Sequence, residues 1–296
     1  MQHVAFVRSP HAHARVRGIK SAAAAKVPGV VAVVTGQDLK ARFAPIPTAT
    51  ASAEGGGVAE VKVGRQHYPL SLDRVRYVGE PVAAVIGLSP EAAMDAAALV
   101  EVDWEPLPAV ADPFAAMADG APQLFDDAPK NIEHTNTIKA GDPDAAFAKA
   151  HRVVKQRMNS QRLSGIPIET RAVLAAPDFA SGGLTVWATH QAPHVLRGGL
   201  ADALRMPQNQ IRVICPEVGG GFGVKFGTYP EDVTVAALAK LRKVPLRWIE
   251  SRVEHMTGTT HGRAQMTDLE AAVDAEGRIN GLRMHVVADI GAYPIF

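Results

Sequence analysis

The chain has 296 residues, 47% of them hydrophobic, which is material for two ordinary domains with a core each. Lys and Arg (31) nearly balance Asp and Glu (30), and the resulting formal charge of +1 offers no electrostatic footprint for nucleic acid or an anionic membrane. A single cysteine, Cys215, excludes an internal disulfide framework and any zinc or iron–sulfur site built on clustered cysteines, and it fits a reducing compartment.

No apolar run approaches the roughly 18 to 20 residues of a membrane span. The opening MQHVAFVRSPHAHARVR lacks the basic-then-apolar order of a secretory signal, so a cytoplasmic location is expected. HVAFVRS, GVVAVVTG and PVAAVIG read as strands between turn signals. A helix follows, with Ser89 as N-cap, Pro90 at its first position, Glu91 at its positive end and apolar residues to about Val100. Val100, Val102 and Trp104 then alternate with Glu101, Asp103 and Glu105, the pattern of a half-buried strand that closes a small α+β domain near Pro108.

Residues 109–136 turn to Ala, Asp, Pro and Gly without a stable period, which marks a linker and places the second domain at 137–296. That domain opens with the strands HRVVKQRMNS, RAVLAAPD and GLTVWATH, followed by a helix from about Pro193 to Arg205 that stops before Pro207. The strand QIRVICPEVG runs toward a glycine-rich segment. Another helix starts at Pro230, Glu231 and Asp232 and ends at Lys240, Arg242 and Lys243, charges matched to the helix dipole. Two strands around DAEGR complete the pattern. The apolar beginning at Met1 to Val7 and the apolar ending MHVVADIGAYPIF lead us to expect a fragment or one piece of a split subunit, covered by further protein.

Gly219, Gly220, Gly221, Phe222 and Gly223 lie between a strand and a helix, where missing side chains let the backbone approach a ligand and present N–H groups to an oxyanion, a phosphate or a metal-oxo group. Taken alone, such a turn is structural in about half of cases. It matches neither GxGxxG nor GxxxxGK[ST], which argues against a nucleotide-binding protein using the loop for phosphate.

VGGGFGVK (Val218 to Lys225) closely resembles the GGGFGxK signature of molybdenum hydroxylase large subunits, the xanthine dehydrogenase and aldehyde oxidase family. FVRSPHAHARV, YVGEPVAAVI and VEVDWEPLPAV resemble that family's N-terminal a/b hammerhead domain, and WIESRVEHMTGTTHGRAQ resembles the segment after the signature in its carbon monoxide dehydrogenase-like branch. The resemblance implies an α+β fold: a hammerhead domain at 1–108, then the N-terminal, incomplete part of a molybdopterin-binding domain. It implies that Gly220, Gly221, Phe222 and Gly223 lie against the cofactor, with Phe222 and Gly223 over the metal and its oxo ligand. It further implies a glutamine amide donating to the apical oxo group. NSQRLSGIPIETRAV supplies Gln161 eight residues before Glu169 and Arg171 for that role, and an amide donates there without charge.

The family's chemistry is hydroxylation of an aldehyde or N-heteroaromatic carbon with water-derived oxygen at a molybdenum–molybdopterin centre, in some members the cytosine dinucleotide form. Electrons pass to 2Fe–2S clusters and FAD on partner subunits, so the resemblance implies a hetero-oligomer. The family's general base and most pterin contacts belong to a C-terminal half outside this sequence, so no catalytic residue is assigned within it and the isolated chain is expected to be inactive. A non-catalytic interaction or assembly module of such a complex is the alternative. Phe226 stands where xanthine dehydrogenases carry a purine-contacting glutamate, which excludes purine recognition by that residue. An aldehyde, an N-heteroaromatic ring and carbon monoxide remain open as substrates, in falling order. Cys215 is expected to pack as a small apolar group, and Glu169 and Glu217 to be structural. His11, His13 and His67 form no expected metal site; His255 and His261 are expected to be structural, with Glu250, Arg252 and Arg263 as ion-pair partners.

Overall fold

A computed structural model describes residues 1–46 and 67–292. Two compact units emerge, one built from Met1–Ala109 and Gly165–Thr260, the other from Val110–Ser164 and His261–Gly291. The chain begins in the first unit with β1 (Gln2–Arg8), β2 (Ala14–Lys20), β3 (Val30–Thr35), the one-turn helix α1 (Gly36–Leu39), β4 (Arg74–Val75), β5 (Pro81–Gly87), α2 (Pro90–Ala98) and β6 (Glu101–Pro106). The second unit then contributes α3 (Pro113–Met117), α4 (Pro143–Ala148) and β7 (Arg152–Ser164). The first resumes with β8 (Ala172–Pro177), β9 (Leu184–Ala188), α5 (Pro193–Leu204), β10 (Ile211–Ile214), α6 (Pro230–Arg242), β11 (Leu246–Ile249) and α7 (Arg252–Gly258). The second ends with β12 (His261–Val273) and β13 (Ile279–Ala288). This is the α+β architecture expected.

Seven strands of the first unit form one sheet in the order β10-β9-β8-β11-β1-β5-β3, and β4-β2-β6 form a second. β1 pairs in parallel with β11 through Gln2↔Leu246, so the sheet joins the two distant stretches of sequence that build this unit. Every residue of β5 is buried, as its unbroken apolar run requires of an interior strand. α2 starts where Ser89 accepts a hydrogen bond from the Ala92 N–H at 3.1 Å, with Pro90 at the first turn. β6 alternates over Glu101 to Trp104 as the sequence indicated, with Val102 and Trp104 partly buried and Glu101 and Asp103 exposed, and it pairs β2 through Val16↔Trp104.

The main core lies where α5 and α6 cover the large sheet: Leu196, Leu200, Val233 and Leu238 pack on Val173, Val186, Leu246 and Trp248, and Phe6 meets Trp248 edge-on at 5.6 Å. α6 is deeper than its charged start suggested. Pro230 through Ala239 are buried, Glu231 and Asp232 included, so those acids face protein partners rather than solvent. β10 is also shorter than the stretch QIRVICPEVG; it ends at Ile214, two residues before Pro216, whose missing N–H cannot extend a ladder. Residues 109–136 carry α3, capped by Asp112, and a 3₁₀ turn at Pro129–Asn131. Of the final apolar stretch, β13 ends at Ala288, and residues 293–296 lie outside the described residues. Among the described residues no helix is long and apolar enough to cross a membrane.

Candidate functional site

β9, α5 and β10 make a strand–helix–strand unit whose two strands are parallel and adjacent, with Leu184↔Ile211 and Trp187↔Ile214 in register. Parallel strands send their chains out at the same edge, where ligands of open α/β sheets commonly bind. The loop after β9 carries His190 and Gln191; the loop after β10 carries the glycine turn. Several hydrogen bonds lace the two loops together. The Gln191 N–H donates to the Lys225 carbonyl at 3.0 Å, the Gly223 N–H donates to Gln191 Oε1 at 3.1 Å, and His190 Nε2 donates to the Gly227 carbonyl at 3.1 Å. His190 Nδ1 accepts from the Ala192 N–H, which fixes the neutral tautomer, and burial lowers its pKa in the same sense.

Each glycine of the triple has its own reason. A Cβ on Gly219 would lie 2.6 Å from the Cβ of Glu169, and one on Gly221 would collide with the Gln191 amide. Gly220 has φ of +92° and its Cβ would press on both Phe222 and Pro167 at 3.1 Å. Phe222 itself adopts φ of 51° and leaves 76% of its surface exposed. A bulky side chain in the left-handed region is a strained outlier of the kind that accumulates at functional sites. Gly223, at φ +89°, completes the reversal.

Glu169 clamps this turn from outside. Its Oε2 accepts from the Gly219 N–H and from Lys225 Nζ, both at 2.7 Å, and so ties the first residue of the turn to the lysine that follows it. Burial works against the charged carboxylate, but the Lys225 ammonium and the Gly219 N–H outweigh it and hold the Glu169 pKa below its ordinary value. Lys225 is fully buried and Glu169 only partly so. The structural role expected of Glu169 is thus filled, and the charge of the signature lysine, Lys225, acts within the protein. With Gly219, Gly220, Gly223, Val224 and Phe226 all donating internally, the N–H groups of Gly221 and Phe222 and the Gln191 Nε2 amide have no acceptor among the described residues. Since the Gly223 N–H fixes which end of the amide is oxygen, Nε2 is the end left free.

Behind the clamp lies a buried ionic layer. The Arg171 guanidinium reaches Glu250 at 2.6 Å and Glu231 at 3.1 Å and stacks 3.8 Å from the Tyr229 ring. Arg8 holds the other Glu231 oxygen at 2.7 Å and Glu254 at 2.9 Å. Burial alone would raise the Glu231 pKa, but Arg171 and Arg8 overcome it and bring the value to about 2. Asp232 next to it forms no ion pair among the described residues, and burial, only partly offset by the more distant charge of Arg171, pushes its pKa up to about 7. His255 joins Glu250 through Nδ1 at 2.8 Å and the Gly165 carbonyl through Nε2 at 2.9 Å, as a structural histidine. Arg252 makes no ion pair among the described residues and donates instead to the Pro167 and Ile168 carbonyls.

Gln161 is placed differently. It lies on β7 in the second unit, exposed, facing the stretch of β12 where Arg263 and Ala264 both take positive φ. Gly220, Gly221, Phe222 and Gly223 are together in the first unit, and the glutamine seated on them is Gln191, which sequence reasoning passed over. Glu217 is exposed, and Cys215 packs partly buried against the main core, where burial holds its thiol above the ordinary value. His13 contacts the Pro108 carbonyl at 2.9 Å, and His11 and His67 lie edge-on to Trp104 and Tyr77.

A glycine-walled turn at the outlet of parallel strands, with free donors and a strained exposed aromatic, is an arrangement suited to a bound cofactor in an α+β protein. Residues 124–296 match the molybdopterin cofactor-binding domain, and residues 1–108 match the a/b hammerhead domain of aldehyde oxidase and xanthine dehydrogenase. The chain belongs to this molybdenum oxidoreductase family. It is 40% identical over 98% of its length to the 6-hydroxypseudooxynicotine dehydrogenase complex subunit gamma of Paenarthrobacter nicotinovorans. It is 38% identical over 97% of its length to the carbon monoxide dehydrogenase large chain of Afipia carboxidovorans. Among solved structures, quinoline 2-oxidoreductase from Pseudomonas putida 86 superposes with a TM-score of 0.86 at 34% identity, covering 98% of this chain and 36% of that one. The chain spans 36% of the length of each of these two sequence relatives.

Proposed function

We propose that this chain forms one wall of a molybdenum–molybdopterin site in a larger hydroxylase that acts on an aldehyde or N-heteroaromatic carbon. The observation that carries the reading is the set of unengaged donors on a single exposed turn: the Gly221 and Phe222 N–H groups and the Gln191 Nε2 amide. Neutral donors of this kind suit an oxygen-rich, anionic group, because they stabilise charge without competing as metal ligands. The bound centre would supply the two-electron chemistry and the route for water-derived oxygen. The chain's own part is orientation. Gly220 and Gly223 bend the backbone, Phe222 offers an apolar floor, and a glutamine amide donates to an oxygen of the group. We assign that amide to Gln191 because it is hydrogen-bonded into the turn; Gln161 is the assignment that the family resemblance suggests. The dinucleotide form of the cofactor, 2Fe–2S and FAD partner subunits, and the remaining molybdopterin-binding half belong to the same proposal.

The test is metal analysis of the complete protein purified with its neighbours. Molybdenum near one atom per chain is expected, with Gln191→Ala and Phe222→Ala each lowering loading or turnover by roughly 10- to 100-fold, as for groups that orient a metal centre. Gln161→Ala serves as the comparison. Loss with Gln161→Ala and none with Gln191→Ala reverses the glutamine assignment. A complex free of molybdenum ends the enzyme reading and favours the interaction module.

A further inference from the structure

In the second unit the sheet order is β13-β12-β7, and its register sorts every side chain to one of two faces. One face is charged and already satisfied. On it Arg157 makes two hydrogen bonds to Asp268, Lys155 pairs with Glu270, and Arg283 reaches Asp144 of α4, whose Phe147 stacks on the Arg283 guanidinium. α4 also seats Ala146 against Gly281 on this face. The other face is uncharged and mostly apolar over three successive rows, with Gln156 and Thr267 as its two polar members: Val154, Ala271 and Leu282; Gln156, Leu269 and Met284; Met158, Thr267 and Val286. Val154, Met158, Leu282, Met284 and Val286 are exposed. A strand spacing of ~4.8 Å and a rise of ~3.4 Å per residue make the band about 300 Å², in the range of the largest apolar patch on an ordinary monomer, which is often functional. A sheet with one satisfied polar face and one bare apolar face is half of a packed layer.

We propose that this face is covered by the polypeptide that the relatives possess beyond the 36% spanned here, through an apolar, uncharged packing surface in that remainder. Two observations select this occupant. The three rows carry no charged side chain, Arg152 and Arg162 lying only at the two ends of the strand, so the band suits a permanent intramolecular core rather than a separable polar partner. The relatives are also nearly three times longer than the matched stretch, which supplies the protein to cover it. The inference rests on the reading of the chain as part of a longer large subunit, and not on its metal.

Peroxide footprinting of the complete protein tests it. Met158 and Met284 are 45% and 59% exposed here, and Met94 of the first unit is 64% exposed. With the face covered, Met158 and Met284 should oxidise at least tenfold more slowly than Met94; equal rates overturn the proposal. Replacing Met284 with a photo-crosslinking benzoylphenylalanine identifies the occupant. A crosslink to the remainder of the same subunit supports the proposal, and one to a second copy of residues 1–296 or to a separate subunit overturns it. Should Met284 not tolerate the change, the same residue at Met158 on the opposite edge strand gives the same readout. Molybdenum missing from the protein would sink the proposed function and leave these readouts unaltered.

Discussion

Glu231 and Asp232 are sequence neighbours on a buried helix, yet one is held ionised by two arginines while burial makes the other a weak acid. The consequence for stability has a definite sign. The Asp232 pKa of about 7 lies above its ordinary 3.8, so folding favours the protonated form. Its contribution is complete below about pH 4 and is lost as pH rises toward 7, by an amount on the order of a few kcal/mol. Asn keeps the oxygen that accepts from the Tyr229 N–H at 3.0 Å but does not titrate. Asp232→Asn should therefore gain stability relative to wild type as pH rises from 4 to 7 in urea titrations. Parallel pH profiles for the two proteins would refute the assignment.

At the scale of the element, the glycine turn is held by a lever that reaches it from another strand. Glu169 precedes β8 and grips both Gly219 and Lys225, so the geometry of the turn depends on a carboxylate fifty residues away in sequence. Glu169→Gln retains an acceptor for the Gly219 N–H but leaves the buried Lys225 ammonium without a countercharge. A cost of about 1–3 kcal/mol is expected, below that of a wholly buried pair because Glu169 is partly exposed. Adding Lys225→Met should recover part of that loss, and hydrogen exchange across 218–226 should quicken in the single variant. Additive energies in the double-mutant cycle would show that the two groups are not coupled.

For the whole molecule, the decisive feature is that the large sheet draws its strands from two distant stretches of the sequence, before residue 88 and after residue 171. β1 lies between β5 and β11, and Val4 and Phe6 of β1 share a core with Leu200, Leu238 and Trp248. Residues 1–108 match a family domain by themselves, yet their apolar face is completed by β11, α5 and α6. Expressed alone, 1–108 should bind hydrophobic dyes and unfold without a cooperative transition, although the cores around Val85 and Val82 are internal to it. A sharp two-state transition for this fragment would contradict that.

The local pattern was legible in the residues. The unbroken run of β5, the Ser89–Pro90 start of α2, the alternation in β6 and the strand–helix–strand order of β9, α5 and β10 all follow from periodicity and capping. The glycine signature likewise announced itself through residue types that only close backbone approach requires. Which glutamine meets that turn was not legible from spacing to Glu169, because contact is made sideways between the outlets of two parallel strands. Knowing that β9 and β10 are adjacent places Gln191 beside Gly223, and only pairing in the sheet establishes that adjacency. Sequence determined the elements and the chemistry of the turn, since both are short-range. Tertiary structure alone decided the fates of Glu231 and Asp232, the reach of Glu169 and the choice of glutamine, because each depends on what burial and long-range pairing bring near.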